Sequence, residues 1–415
     1  MNVTTMRFVD RWAGTPVCAI LTLWRRITAP FRSKPPEAPQ RILVVKLAEQ
    51  GATVLAYSAL RRATELVGRD NVFFVVFSEN RFILDQIDVI PPENVIELRT
   101  TGLVRLGLDL LKAVVRFRRE KIDAAVDFEF FARSSAIVTY LSGASRRAGF
   151  HSFAGEASYR GDLMTHRLVF NPLVHASQTF RSLVEALCFP AEQLPTFTSG
   201  PWPDEQPPTI EPSDDELREV SGIVAKTANR DSAPPLILLN ANASDLLPLR
   251  RWAPERYVEL ARKLLDRYPE VFIGFTGAPS EAADAQKIVD EIGSERCINM
   301  GGRTTLRQLL VLYFLSEVMV TNDSGPAHYA ALSPMDVVTI FGPETPAVFG
   351  SKSKRAHLLW EGLPCSPCVN AFNDRWTPCQ NNVCMQRITV DQVFAEICGI
   401  YERRRALRNA TDEAS

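Results

Sequence analysis

A chain of 415 residues is long enough for about two ordinary domains, and 46% apolar with 23% charged residues describes a globular protein with a sizeable core. A net charge of −1 excludes a role built on wholesale coating of nucleic acid. No secretory signal with a small-residue cleavage site is evident, so the expected compartment is the reducing cytoplasm.

Residues 1–40 read as an apolar segment and a linker. Trp12 to Trp24 is apolar and flanked by Arg11 and by Arg25-Arg26. Its thirteen residues are too few to cross a bilayer, which needs about 20. Arginine and tryptophan at both ends suit a helix lying in a membrane interface, at the inner face of the cytoplasmic membrane. The plainer reading is a helix packed on the protein's own surface. A proline-rich linker, residues 32–39, follows.

Residues 41–200 form the first predicted domain. Arg41–Leu47 is a strand pattern without alternation, as in a sheet covered on both faces. A helix pattern over Thr53–Leu66, strands at Val72–Phe77 and Val95–Leu98, a helix over Leu103–Arg119, a strand at Ala124–Phe128 and a helix over Ser134–Leu141 follow. Strands alternating with helices predict an α/β fold with a parallel, doubly wound sheet. Proline and acidic residues between about Leu194 and Asp214 mark an interdomain linker, so residues 201–230 read as linker and short helix. The second domain, residues 231–389, repeats the alternation, and residues 390–415 read as a helix and tail. Two Rossmann-like domains facing each other would form a cleft, a preferred ligand site.

The most informative stretch is Val318 to Gly342. A β-type run ends in Asn322-Asp323-Ser324-Gly325-Pro326, a helix is predicted over Ala327–Leu332, and a second β-type run follows. The turn falls at the carboxyl edge of a parallel sheet, where such folds bind ligands. Glycine and a helix N-terminus suit a phosphate there. The plainer reading is a helix capped by Asp323 or Ser324, with Pro326 in its first turn.

Asn322 to His328, followed by Ile340-Phe341-Gly342-Pro343-Glu344-Thr345-Pro346, resembles the donor-site signature of the ADP-heptose:lipopolysaccharide heptosyltransferases, inverting glycosyltransferases of the GT-B fold. Ile42 to Leu47 with Gly51 and Ala59-Leu60-Arg61 resembles that family's first strand, turn and helix. Arg250 to Tyr257 resembles the basic-Trp-Pro segment of its second domain. The resemblance runs from about residue 41 to 395 and is most specific in the carboxyl half.

It implies a diphosphate held by Ser324, Gly325, Pro326 and Ala327, a sugar oriented by Asp323, and His328 one helical turn on. Arg250 would meet the phosphates where the family often has lysine, which alters geometry but not charge. Asn242 and Ser244 follow a strand and can add hydrogen bonds. Glu281 can accept from ribose hydroxyls or answer the helix dipole, two readings of similar weight. Catalysis of this kind requires no cofactor, because backbone N–H groups and a basic side chain can neutralise the leaving group.

On the acceptor side the sequence departs. The family's general base is an aspartate directly after the glycine matching Gly51; here Ala52 stands there. Glu49 ranks first as substitute base, then Asp127 or Glu129, which would face the same way if their strand continued. Absence of any base is the remaining reading. Arg133 and Arg147 would suit an anionic acceptor. The spacing of Cys365, Cys368, Cys379 and Cys384 suits structural zinc, with a disulfide pair or free thiols as alternatives.

The resulting expectation is an inverting glycosyltransferase that moves a heptose-like sugar from an ADP-heptose-like donor to a glycolipid or other envelope glycan, with peripheral membrane contact through residues 12–26 and no nucleic-acid partner. The alternatives are a nucleotide-sugar 2-epimerase of GT-B fold and a non-catalytic nucleotide-sugar-binding protein.

Overall fold

The computed structural model describes residues 3–31, 38–197, 200–203, 205–243 and 247–412. The chain forms two compact units: Met1–Gln206 with Val369–Thr377, and Pro207–Cys368 with Pro378–Ser415. The segment Val369–Thr377, read from sequence as part of the second domain, groups with the first unit.

In the first unit, β1 (Ile42–Val45), β2 (Val72–Phe77), β3 (Val95–Leu98), β4 (Ala124–Asp127), β5 (Arg146–Phe150) and β6 (His166–Leu168) form one parallel sheet in the order β3-β2-β1-β4-β5-β6. β1, β2 and β4 are buried at every position, which is why their sequences do not alternate. Helices α1 (Val3–Trp12), α2 (Gly14–Thr28), α3 (Gln50–Leu55), α4 (Tyr57–Val67), α5 (Arg81–Ile87), α6 (Leu103–Arg119), α7 (Arg133–Leu141) and α8 (Ala176–Glu185) complete the unit. Ala113 and Phe117 of α6 and Val138 of α7 share a core cluster with Leu43, Phe73 and Ala125. β5 and β6 were not predicted as strands. They form one side of the sheet, and β5 carries Arg146 and Arg147, whose charge hides its strand character.

The second unit opens with α9 (Asp214–Ala228), the short helix expected within residues 201–230. Ser213 and Glu216 close a reciprocal capping box there. β7 (Leu236–Asn240), α10 (Pro254–Arg267), β8 (Phe272–Phe275), α11 (Ala282–Ile292), β9 (Cys297–Asn299), α12 (Leu306–Phe314), β10 (Val318–Asn322), α13 (Gly325–Tyr329), β11 (Asp336–Ile340), α14 (Pro346–Phe349), β12 (Ala356–Leu359), α15 (Val383–Gln386) and α16 (Val390–Asp412) follow. The strand order, β9-β8-β7-β10-β11-β12, repeats that of the first sheet. Each sheet therefore has one switch point, between β1 and β4 in the first and between β7 and β10 in the second. Doubly wound sheets bind ligands outside the strand ends at that place.

The outer strand β12 is tied to α16 by His357. Its Nδ1 lies 2.6 Å from a Glu396 oxygen, and its Nε2 lies 3.4 Å from Asp336. The Asp336 contact, then that with Glu396, raises the His357 pKa above its ordinary 6.5. A raised pKa means that the folded state holds the proton more tightly than the unfolded chain. The stabilisation is fully present below about 6.5 and is lost as pH rises through the folded value. The second unit is expected to melt at lower temperature as pH is raised from about 6 to about 8, and His357→Gln should flatten that slope in thermal melts.

Candidate active site

The second unit builds its site at the β7/β10 switch point. Asn322, wholly buried at the end of β10, organises it. Its Oδ1 accepts from the Trp252 N–H at 3.0 Å, and its Nδ2 donates to the carbonyls of Ala241 and Asn242 at 3.2 and 3.1 Å. One side chain thus fixes the loop after β7 to the loop after β10. Trp252 is buried and donates its indole N–H to the Ile388 carbonyl at 3.0 Å. With Trp252 anchored, the two arginines before it diverge. Arg251 donates to the Ala243 carbonyl at 2.8 Å, whereas Arg250 turns toward Asp323 (3.6 Å) and Glu344 (3.4 Å).

Asp323 and Ser324 do not behave as helix caps. Ser324 occupies the N-cap position of α13 in extended backbone (φ −158°), and no side-chain cap is made. The Asp323 Oδ2 and the Arg250 Nε are buried with no hydrogen-bond partner among the described residues. The Asp323 Oδ2 meets Arg250 as an ion pair at 3.6 Å without a hydrogen bond, and buried polar atoms short of a hydrogen bond are costly unless a ligand completes them. Gly325, Pro326, Ala327 and His328 form the first turn of α13, with Ala327 and His328 buried. A side chain at Gly325 would press on the Tyr329 ring, with its Cβ 2.9 Å from the hydroxyl.

Asn242 and Glu281 converge at Gly277. A Cβ there would lie 3.0 Å from the Asn242 amide nitrogen and 3.1 Å from a Glu281 oxygen. Glu281 also accepts from the Ala278 N–H at 2.7 Å, so its helix-start role is real in this structure. Ser244 lies outside the described residues.

The first unit gathers its charged groups at the β1/β4 switch point. Lys46 is buried at the end of β1, with Nζ 3.0 Å from Glu129 and 3.5 Å from Glu49. Glu129 also accepts from the N–H groups of Leu47 and Ala48 at 2.9 and 3.0 Å. Glu49 sits in the left-handed region (φ 67°) and precedes α3, where its carbonyl receives the Ala52 N–H at 3.0 Å. Its carboxylate is ion-paired with Arg375, a residue of Val369–Thr377. The same segment lays Phe372 against Phe131 and Phe170, with ring centroids 5.8 and 5.2 Å away. Gly51 is buried in the first turn of α3.

Several expectations are corrected here. β4 stops at Asp127, so strand alternation does not carry to Glu129, and the two carboxylates part. Asp127 is wholly buried against Arg160 at 2.9 Å, the Ser135 hydroxyl at 3.0 Å and the Glu129 N–H at 3.0 Å. Burial pushes its carboxyl up to about 7 against the pull of Arg160. A group with no exposed surface cannot take a proton from an acceptor, so Asp127 is structural. Arg147 is also buried, giving its guanidinium to the carbonyls of Leu163 and Ala144. Arg133 pairs with Asp10 at 3.4 Å and packs on Gly14, which makes it the seat of the N-terminal helices. Neither arginine presents itself to an acceptor.

The cysteine expectation is corrected as well. All eight cysteines are free, and among the described residues no group of His, Cys, Asp or Glu is gathered that could hold a metal. Cys384 is turned into the core beneath Gly342, while Cys365 and Cys379 are exposed. Cys365, Cys368 and Cys379 lie near enough to act on the Cys384 thiol, raising its pKa together with burial, yet the described residues form no metal-binding group there.

Sequence reasoning placed Asn322, Glu344 and Lys46 only as members of motifs, grouped Arg160 with the acceptor-side arginines, and missed Arg375. Lys46 carried a signal, since a lysine ending an unbroken apolar strand is buried only with partners. Arg375 carried none, because it meets Glu49 across 326 residues of sequence.

With this geometry in view, the glycosyltransferase family 9 (heptosyltransferase) profile matches residues 111–375, well over half of the chain. The chain belongs to glycosyltransferase family 9. Lipooligosaccharide heptosyltransferase 2 of Haemophilus ducreyi is 27% identical over 235 residues, covering 54% of this chain and 62% of that protein. Lipopolysaccharide heptosyltransferase 2 of Escherichia coli is 27% identical over 234 residues, covering 54% and 61%. The matched region thus spans about three-fifths of these relatives' length. Among solved structures, the E. coli ADP-heptose lipopolysaccharide heptosyltransferase II superposes with a TM-score of 0.66 at 20% identity, covering 88% of this family 9 chain and 99% of that one. An E. coli heptosyltransferase solved with ADP superposes with a TM-score of 0.57 at 15% identity, covering 87% and 99%. These likenesses establish the GT-B fold, with two Rossmann-like domains.

Proposed function

We propose that this family 9 chain is an inverting glycosyltransferase that moves a heptose or related sugar from an ADP-sugar to a glycolipid or other envelope-glycan acceptor. The observation that carries the proposal is the uncapped turn Asp323-Ser324-Gly325 at the second switch point, with Arg250 ion-paired to Asp323 at 3.6 Å while its Nε makes no hydrogen bond among the described residues. ADP enters through the relative solved with it, and the acceptor class through the names of the curated relatives.

In the proposed step the acceptor oxygen attacks the anomeric carbon as the bond to the diphosphate breaks. Configuration inverts, ADP leaves with the bonding electrons, and the acceptor proton passes to Glu49. Arg250 and the backbone N–H groups of the turn take up charge on the leaving diphosphate. Asp323 orients the sugar, while Asn242 and Glu281 meet the nucleoside across Gly277. Glu344 and Asp323 hold the Arg250 fork in place, and Lys46 and Arg375 fix Glu49.

Incubation with labelled ADP-sugars and delipidated envelope glycans tests this directly. Transfer or donor hydrolysis supports it, whereas isomerised sugar without transfer points to an epimerase and binding without turnover to a non-catalytic protein. Arg250→Lys keeps the charge but loses the fork, and is expected to weaken ADP binding by about tenfold in calorimetry. Unchanged ADP affinity would remove Arg250 from the site.

A further inference from the structure

α2 packs on α7 through Gly14 and Cys18 and on the Gly161-Asp162 loop through Thr22, all three buried. Its opposite side carries Ile20, Leu23, Trp24 and Ile27, all largely exposed, with Trp24 at 59%. α6 has the same two-sided character. Ala113 and Phe117 enter the core, while Val104, Leu108, Leu111 and Val115 form one outward stripe at helical spacing, with Val104 80% exposed. These helices share a layer. Met6 of α1 packs on the core cluster that Leu106 and Leu110 of α6 also touch, and α7 borders both α2 and α6. Docking is specific, because Asp10 of α1 accepts from the Ser134 N–H at 2.7 Å at the start of α7.

Charge selects what covers this surface. α1, α2 and α6 contain only two acidic residues, and both are engaged inward: Asp10 at α7, and Asp109, buried against Arg99. The outward cations include Arg7, Arg11, Arg26, Arg105, Lys112 and Arg119. A second copy of the same face would bring like charge against like. Apolar stripes on helices whose own outward charges are cations instead match an anionic headgroup layer over acyl chains. No helix among the described residues is long and apolar enough to cross a membrane.

We propose that α2 and α6 together form a docking surface for an anionic lipid bilayer, with both helices lying in its interface. None of the residues assigned to transfer takes part, so the test needs neither donor nor acceptor. The full chain is expected to co-sediment with vesicles of phosphatidylglycerol and phosphatidylethanolamine and to bind phosphatidylcholine vesicles far more weakly. Raising salt from about 0.05 M to about 0.5 M should weaken binding by about tenfold. Ile20→Glu with Trp24→Glu, and separately Leu108→Glu with Leu111→Glu, should each lower vesicle affinity on the order of a hundredfold, with melting temperature and light-scattering mass unchanged. Arg26→Glu with Arg119→Glu tests the charge without touching the apolar stripes and should abolish the preference for phosphatidylglycerol. Absence of binding, equal binding to phosphatidylcholine, variants that bind like the parent, or variants that change only the mass would overturn the proposal.

Discussion

Replacing Glu49 by glutamine is expected to lower kcat by about a hundredfold to ten-thousandfold while ADP affinity stays within about threefold. Glutamine has nearly the same shape, so the left-handed turn and the approach of Arg375 are preserved in outline. What is lost is the capacity to accept a proton. The rival carboxylates in the first unit are less accessible, with side-chain exposures of 0% for Asp127 and 14% for Glu129 against 29% for Glu49. Asp127 is enclosed with Arg160, and Glu129 is bound to Lys46 and two backbone N–H groups. Arg375→Ala should give a smaller loss in kcat, because it removes one partner of the carboxylate while Lys46 and the carboxylate itself remain. Single-turnover transfer with saturating ADP-sugar measures both, and near-normal turnover in the glutamine variant would discard Glu49 as base.

Replacing Asp127 by alanine is expected to destabilise the first unit by about 3–5 kcal/mol. The reason is Arg160, whose guanidinium is buried with Asp127 as its ion-pair partner at 2.9 Å. Removing the carboxylate also strips the Glu129 N–H of its acceptor, whereas the Ser135 hydroxyl still reaches the Ala132 carbonyl at 3.1 Å. Pairing Asp127→Ala with Arg160→Met should recover much of the loss, since an apolar replacement of both partners leaves no isolated charge. Urea unfolding followed by a probe in each unit reports the effect, because two units need not unfold together. A single variant with the parent's midpoint would show that the pair contributes nothing.

The two experiments separate roles that look alike in the sequence. Glu49 and Asp127 are both carboxylates beside the carboxyl ends of strands, and either position suits a base. Spacing cannot tell which one faces outward. The difference arises because β4 ends at Asp127 and Arg160 folds back over it from a distant loop. Arg133 and Arg147 illustrate the same limit. Each lies in a stretch that suits anion binding, yet one is used by Asp10 and the other by carbonyls inside the domain.

The sequence by itself determined the alternation of strands and helices, the two-domain plan and the Asp323–His328 turn. These are legible because they rest on local periodicity and on turn residues contiguous in the chain. Charged or short strands escaped for the same reason, as β5, β6 and β12 carry little apolar pattern. Only the tertiary structure decided which charges are buried, that the described residues gather no metal-binding group at the clustered cysteines, and that Arg375 reaches Glu49. Those facts depend on contacts between residues far apart in sequence. A side chain's partners there are set by how the sheets and loops close, and no local pattern encodes that closure.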